Sequence, residues 1–142
     1  MIIAIDGPSG AGKSTLGKML AKELNLLYLD TGAMYRAVAF AVLRQNIDVK
    51  DEESIIKVAN ESKIELSGEP DSLHIFLNGV DVSGEIRTNE VGQMASIVST
   101  ISEVRRTLVK LQQELGNRGS GCVLDGRDIG TVVFLNAEIK LF

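Results

Sequence analysis

The sequence predicts an α/β fold: a three-layer domain built on a parallel sheet, with a small antiparallel region inserted into it. Three observations carry this reading. Residues 1–45 alternate short apolar runs with segments of helical period, in the order strand, helix, strand, helix, which argues for a parallel sheet covered by helices. The first run joins the first helix through Gly7-Pro8-Ser9-Gly10-Ala11-Gly12-Lys13-Ser14, a full match to the phosphate-binding pattern GxxxxGK[ST] in the strand–loop–helix setting that pattern requires. Apolar strand-like runs return at residues 122–125 and 139–142, after a middle of different character.

Each element has its own signal. Ile2-Ile3-Ala4-Ile5 reads as a buried strand, and the helix after the loop places Leu16, Met19, Leu20 and Leu24 on one face. Leu26-Leu27-Tyr28-Leu29 reads as a second strand. Asp30-Thr31-Gly32 follows it, and a helix with Ala33, Ala37, Val38, Ala41 and Val42 runs to about Arg44. Residues 51–61 carry a short helical pattern through Ile55, Ile56 and Ala59. Lys63–Ser67 and Leu73–Leu77 read as strands joined by Gly68-Glu69-Pro70-Asp71, and Asn78-Gly79 marks a further turn before Val80 and Val82. Residues 63–83 therefore form a small antiparallel sheet. Helices follow around Asn89–Ser99 and from Glu103 to Leu115, the second with Val104, Leu108, Leu111 and Leu115 on one face and Gly116 placed to stop it. Cys122–Asp125 and Ile139–Phe142 are a third and a fourth parallel strand, with the short apolar stretch Thr131–Phe134 between them. The expected division is a nucleotide-binding core of residues 1–45 and 116–142 with residues 46–115 inserted.

Composition narrows the class. With 142 residues, 44% hydrophobic and 24% charged, the chain suits one domain with a sizeable core. The net charge is −4 and no strongly basic stretch exists, which argues against nucleic acid as a partner. Cys122 is the single cysteine, so neither an intramolecular disulfide nor a cysteine-based metal cluster can form, and its apolar neighbours make it a small buried hydrophobe. His74 is the single histidine and reads as the outward face of a strand. The apolar start at Met1 is too short for a signal peptide and runs straight into the loop, so none is expected, and no run of 18 apolar residues exists. A cytoplasmic monomer is expected.

The loop residues explain themselves by chemistry. Gly7, Gly10 and Gly12 let the backbone turn tightly and aim its N–H groups at phosphate oxygens. The helix that begins at Lys13 adds its positive dipole end. Lys13 supplies a mobile charge, and Ser14 a hydroxyl suited to Mg²⁺. A bound nucleoside triphosphate, ATP, with Mg²⁺ is the expectation.

A second group of residues bears on an acceptor. Thr31 stands at a helix N-terminus, where anions are favoured, and Arg36 follows just over one turn later with a planar fork that fits a phosphate. On this segment alone Thr31 is equally a helix cap and Arg36 a solvated charge. Asp125 ends an apolar strand, where a carboxylate reaches Mg²⁺ directly or through water, and Arg127 and Asp128 enter the same crevice. A tight turn with solvated charges is the lesser alternative for Asp125–Asp128. Ser96 and Arg105, on neighbouring helices, say nothing by themselves.

Together Ile5–Thr15, Asp30–Arg36, Asp81–Thr88 and Asp125–Phe134 resemble bacterial cytidylate kinases, of the nucleoside monophosphate kinase family. The most specific runs are Asp81-Val82-Ser83-Gly84-Glu85-Ile86-Arg87-Thr88 and Asp125-Gly126-Arg127-Asp128-Ile129-Gly130-Thr131-Val132-Val133-Phe134, and the likeness spans the chain. The resemblance implies that the antiparallel insert belongs to the monophosphate-binding region. It implies that Gly7 to Thr15 (Gly7, Pro8, Ser9, Gly10, Ala11, Gly12, Lys13, Ser14 and Thr15) hold ATP, and that Ser14 and Asp125 face the metal. Thr31 then lies near the acceptor, Arg36 and Arg127 hold its phosphate, and Ser96, Arg105 and Asp128 read cytosine. Lys13, Arg36 and Arg127 would be the catalytic set. The implied reaction transfers the γ-phosphoryl group of ATP to CMP and dCMP. Chemistry agrees at one point: a carboxylate accepts from the exocyclic amine of cytosine, and would repel the carbonyl of uracil. Members of the family continue past the position of Phe142, so the resemblance also implies an arginine-bearing lid and further base contacts beyond it.

Three other functions compete on the sequence. Another small-acceptor P-loop kinase, for a sugar acid or shikimate, would share the loop but not Ser96, Arg105 and Asp128. A GTP-binding switch would use DxxG, which Asp81-Val82-Ser83-Gly84 fits, but the chain has no Asn/Thr-Lys-x-Asp motif. A nucleotide-binding module without turnover is the third.

Overall fold

Ile3, Ala4 and Ile5 are buried, as an uninterrupted apolar run inside a parallel sheet must be. They form β1 (Ile2–Asp6) of a computed structural model that describes residues 1–7, 12–127 and 129–141. The chain then runs α1 (Lys13–Leu24), β2 (Leu27–Asp30), α2 (Thr31–Arg44), α3 (Glu52–Glu61), β3 (Ile64–Ser67), β4 (His74–Leu77), β5 (Val80–Asp81), α4 (Asn89–Val98), α5 (Ser102–Gly116), β6 (Cys122–Gly126) and β7 (Ile139–Leu141). Short turns of 3-10 helix lie at Pro70–Ser72 and Glu85–Arg87, and a wide π-type turn at Ile129–Val133. No helix among the described residues is long and apolar enough to cross a membrane.

The chain divides into two compact units. Residues 1–32, 68–73 and 109–142 make the first. Its four strands are all parallel, in the order β2-β6-β1-β7. The connection leaving β1 reaches β2 on one side, and the one leaving β6 reaches β7 on the other. The crevice between the carboxyl ends of β1 and β6 is therefore a topological switch point, where such sheets bind ligands. Register brings Asp6 level with Gly126, and both Ile5 and Asp30 level with Asp125. Residues 33–67 and 74–108 make the second unit. It holds the antiparallel sheet β3-β4-β5, with Ile55, Ile75, Val98, Val104 and Leu108 among its buried residues. Asp51 caps α3 through the Ser54 amide, and Thr88 caps α4 through that of Val91.

The parallel core and antiparallel insert agree with the predicted fold class, and most elements fall within two residues of expectation. Three side-chain assignments do not. Leu16, Met19 and Leu24 of α1 are exposed, Met19 by 60%, and the buried face is instead Gly17 and Ala21, with Leu20 partly buried. Small residues let the helix lie close on the sheet: a Cβ at Gly17 would sit 2.9 Å from the Tyr28 ring. On α5, Leu111 is only half-buried, and Gln112 occupies the buried row at 1% exposure. Gly116 is the last residue of α5 but does not end it by a left-handed turn, because its φ is not positive. It is small because a Cβ there would meet the Phe134 ring at 2.7 Å and the Cys122 sulfur at 3.0 Å. The Thr131–Phe134 stretch belongs to the π-type turn, closed by Phe134 N–H donating to the Ile129 carbonyl at 2.7 Å.

Candidate functional site

The first unit gathers its polar residues at the carboxyl edge of the sheet. Gly12 holds the left-handed conformation (φ 80) that ends the glycine loop, and its carbonyl accepts from Leu16 in the first turn of α1. At the other end of the loop, Gly7 N–H donates to the Gly126 carbonyl at 3.3 Å, joining the stem of the loop to the end of β6. Lys13 begins α1 half-buried, while Ser14 and Thr15 are exposed. Pro8, Ser9, Gly10 and Ala11 lie outside the described residues, as does Asp128.

Asp125 is the polar centre of this edge, 3% exposed. Burial pushes its carboxyl up to about 6; a hydrogen bond from Tyr28 opposes the rise, the Asp30 carboxylate adds to it, and Lys13 and Lys18 pull it back. The Tyr28 hydroxyl donates to Oδ2 of Asp125. Burial, the bond to Asp125 and the charge beside it hold the Tyr28 phenol far above its ordinary range. Thr31 is buried at the start of α2. Its hydroxyl donates to the Asp125 carbonyl at 2.7 Å, so the side chain ties two strand ends together instead of capping its own helix. Gly126 makes room for this bond, since a Cβ there would fall 2.0 Å from Thr31 Oγ1. Arg127 follows on the surface.

Two functional-looking residues escaped the sequence reading. Asp6 accepts from the amides of Ile129 at 2.6 Å and Gly130 at 2.9 Å, pinning the chain just past Asp128 to the end of β1. Tyr28 is the other. A tyrosine inside an apolar strand is the available signal, because a buried phenol needs a hydrogen-bond partner. No comparable pattern marks Asp6.

The second unit carries Arg36, Ser96 and Arg105. Arg36 is half-buried; its Nη1 donates to the Ile86 carbonyl at 2.8 Å and, more loosely, to that of Thr88 at 3.5 Å. Its guanidinium lies over Gly92, where a Cβ would come within 3.0 Å of Nη2. The specific run 81–88 thus includes the carbonyls that orient this arginine. Ser96 on α4 and Arg105 on α5 are both exposed, and the Ser96 hydroxyl donates to the Gly92 carbonyl at 3.3 Å. His74 bonds Asp81 at 2.9 Å on the exposed hairpin.

Donor chemistry at the first unit suits a hard divalent cation only in part supplied by protein. Among the described residues no cluster of three or more carboxylate, histidine or cysteine ligands exists. One hydroxyl, Ser14, lies in the first turn of α1 and one carboxylate, Asp125, near the end of β6. That sparse oxygen set fits Mg²⁺, which keeps several waters and takes other ligands from bound phosphates.

A parallel sheet whose switch point lies beside a GxxxxGK[ST] loop places the chain in the class of P-loop α/β phosphate-binding proteins. More narrowly, it belongs to the cytidylate kinase family: the model of that family, described as cytidylate kinase, matches residues 3–142. A cytidylate kinase of Caldanaerobacter subterraneus subsp. tengcongensis is 55% identical over 140 residues, covering 99% of this chain and 60% of the relative. That of Bacillus subtilis is 49% identical over 140 residues, covering 99% and 62%. The chain spans about 60% of the length of the curated relatives it matches.

Proposed function

We propose that this site transfers the γ-phosphoryl group of ATP to CMP and dCMP, giving ADP with CDP or dCDP, in pyrimidine nucleotide metabolism. The observation that carries the reading is the family match over residues 3–142, in a chain that keeps the whole glycine loop and the Asp125–Asp128 run. Lys13 and the loop from Gly7 to Thr15 bind the triphosphate, with Ser14 and Asp125 turned toward its metal. Mg²⁺, when bound, neutralises charge on the phosphate oxygens. Arg36 and Arg127 hold the acceptor phosphate in line, and their charges stabilise the negative charge spread over the transferring group. The acceptor is anionic near neutral pH, so the reaction requires no general base. Thr31 supports this edge through Asp125, close to where the acceptor would lie. Ser96, Arg105 and Asp128 read the base: the carboxylate takes the amine of cytosine, and the serine and arginine donate to its ring. A cytoplasmic monomer acting on small molecules alone completes the proposal.

The test is a coupled ADP-release assay with CMP, dCMP, UMP and AMP, paired with calorimetric titration of each. Turnover and binding of CMP well above UMP and AMP are expected. Equal or faster turnover of UMP or AMP overturns the cytidine reading, and tight ATP binding with no CDP formed favours a binding module without turnover. Asp128→Ala is expected to lose most of the preference for CMP over UMP while ATP affinity stays within about twofold, since base recognition is lost and the phosphate cradle is not.

A further inference from the structure

Asp125 ends β6, and its carboxylate accepts from the hydroxyl of Tyr28 on the neighbouring strand β2. The route is built into the packing. Tyr28 is level with Val123 and Asp30 with Asp125, so the phenol reaches up the sheet from one side-chain step below. The ring crosses under α1 at Gly17, where a Cβ would come within 2.9 Å of the ring and 3.5 Å of the Asp125 carboxylate. Ile3, Ile5, Ala21 and Val123 close the ring in the same apolar cluster. A phenylalanine would fill that cluster equally well, so packing does not explain the hydroxyl.

We propose that Tyr28 is a positioning residue for the metal–nucleotide site: its phenol holds the Asp125 carboxylate in a set orientation before any metal arrives. The inference rests on the reading of Ser14 and Asp125 as the metal-facing pair. A carboxylate with one oxygen fixed by a buried donor has its plane defined, and the second oxygen is aimed with it. Without the phenol, the carboxylate can turn about its χ angles. Partners of this outer kind set ligand orientation, and losing one costs roughly 10–100-fold in metal affinity.

The test is calorimetric titration of ADP into the intact chain with and without Mg²⁺, reading the ratio of the two dissociation constants. Tyr28→Phe is expected to reduce that ratio about tenfold, while affinity for metal-free ADP stays within about twofold. Gly17→Ala, which crowds the ring but keeps every hydroxyl, is expected to shift the ratio in the same direction. It serves as the measuring variant if Tyr28→Phe does not fold. A folded variant with the wild-type ratio overturns the role of Tyr28, and so does an equal loss with and without Mg²⁺, which marks a purely structural ring. If the wild-type chain itself shows no effect of Mg²⁺, the reading of Ser14 and Asp125 as the metal-facing pair fails instead, and the inference falls with it.

Discussion

Arg36 is committed to backbone on one of its nitrogens, and this gives its substitutions two separable consequences. Nη1 serves the Ile86 and Thr88 carbonyls, while the other two guanidinium nitrogens keep three N–H donors with which to meet a phosphate. Arg36→Lys keeps the charge but has no fork, so it cannot serve carbonyl and phosphate together. The expected outcome is a KM for CMP raised about tenfold or more, with the KM for ATP nearly unchanged, as fits a bidentate contact worth about 1.5–3 kcal/mol. Arg36→Ala is expected to add a fall in stability of about 1–3 kcal/mol, because the carbonyl of the buried Ile86 loses its donor. Steady-state kinetics and urea melts of the two variants separate these effects. Parallel rises in both KM values would show that Arg36 does not act on the acceptor.

The β4–β5 hairpin yields a pH dependence whose sign is fixed by one carboxyl. Asp81 accepts from the Ser83 hydroxyl, the Ser83 amide and His74, and in that order these bonds hold its carboxyl down at about 2. A depressed folded value means the contribution is complete above about pH 4, the ordinary carboxylate range, and is lost as pH falls toward 2. The expected result is an Asp81 carboxyl titrating near 2 by carbon-detected NMR, and rising in Ser83→Ala; a midpoint near 4 in the intact chain would refute it. This hairpin was readable from Asn78-Gly79 and the alternation of Leu73–Leu77, because turn chemistry and period two are local signals. Helix faces were less so. In α1 the large apolar residues marked a plausible stripe, yet the sheet took Gly17 and Ala21, since close approach to Tyr28 rewards small side chains and sequence period does not report distance. Gln112 was hidden for the converse reason, as its burial depends on what surrounds it. Of the candidate site, the loop and Asp125 were legible from spacing and strand ends. Asp6 and Tyr28 were not, because their partners lie 123 and 97 residues away.

Taken as a molecule, the chain divides its proposed work between two units, and ligand binding should report that division. The residues assigned to ATP lie in the first unit; of those assigned to CMP, Arg36, Ser96 and Arg105 lie in the second and Thr31 and Arg127 in the first. The order of strands that creates the first site, β2-β6-β1-β7, brings Gly7 to Gly126 across 119 residues of chain. A ligand that binds only the folded state stabilises it by about 2.7 kcal/mol at a concentration of 100 Kd. For a chain of this size that corresponds to a rise in Tm of roughly 8–12 °C if unfolding is a single transition. Hydrogen exchange then locates the effect. MgATP is expected to slow exchange first in residues 2–24 and 122–126, and CMP in residues 86–106 and at Arg127. Stabilisation by CMP confined to the first unit would mean that Ser96 and Arg105 do not contact the base. Exchange slowed throughout by either ligand alone would mean that the two units open as one cooperative body. In that case residue-level assignment passes to Arg36→Lys and Asp128→Ala, whose effects on the CMP constants do not depend on how the units unfold.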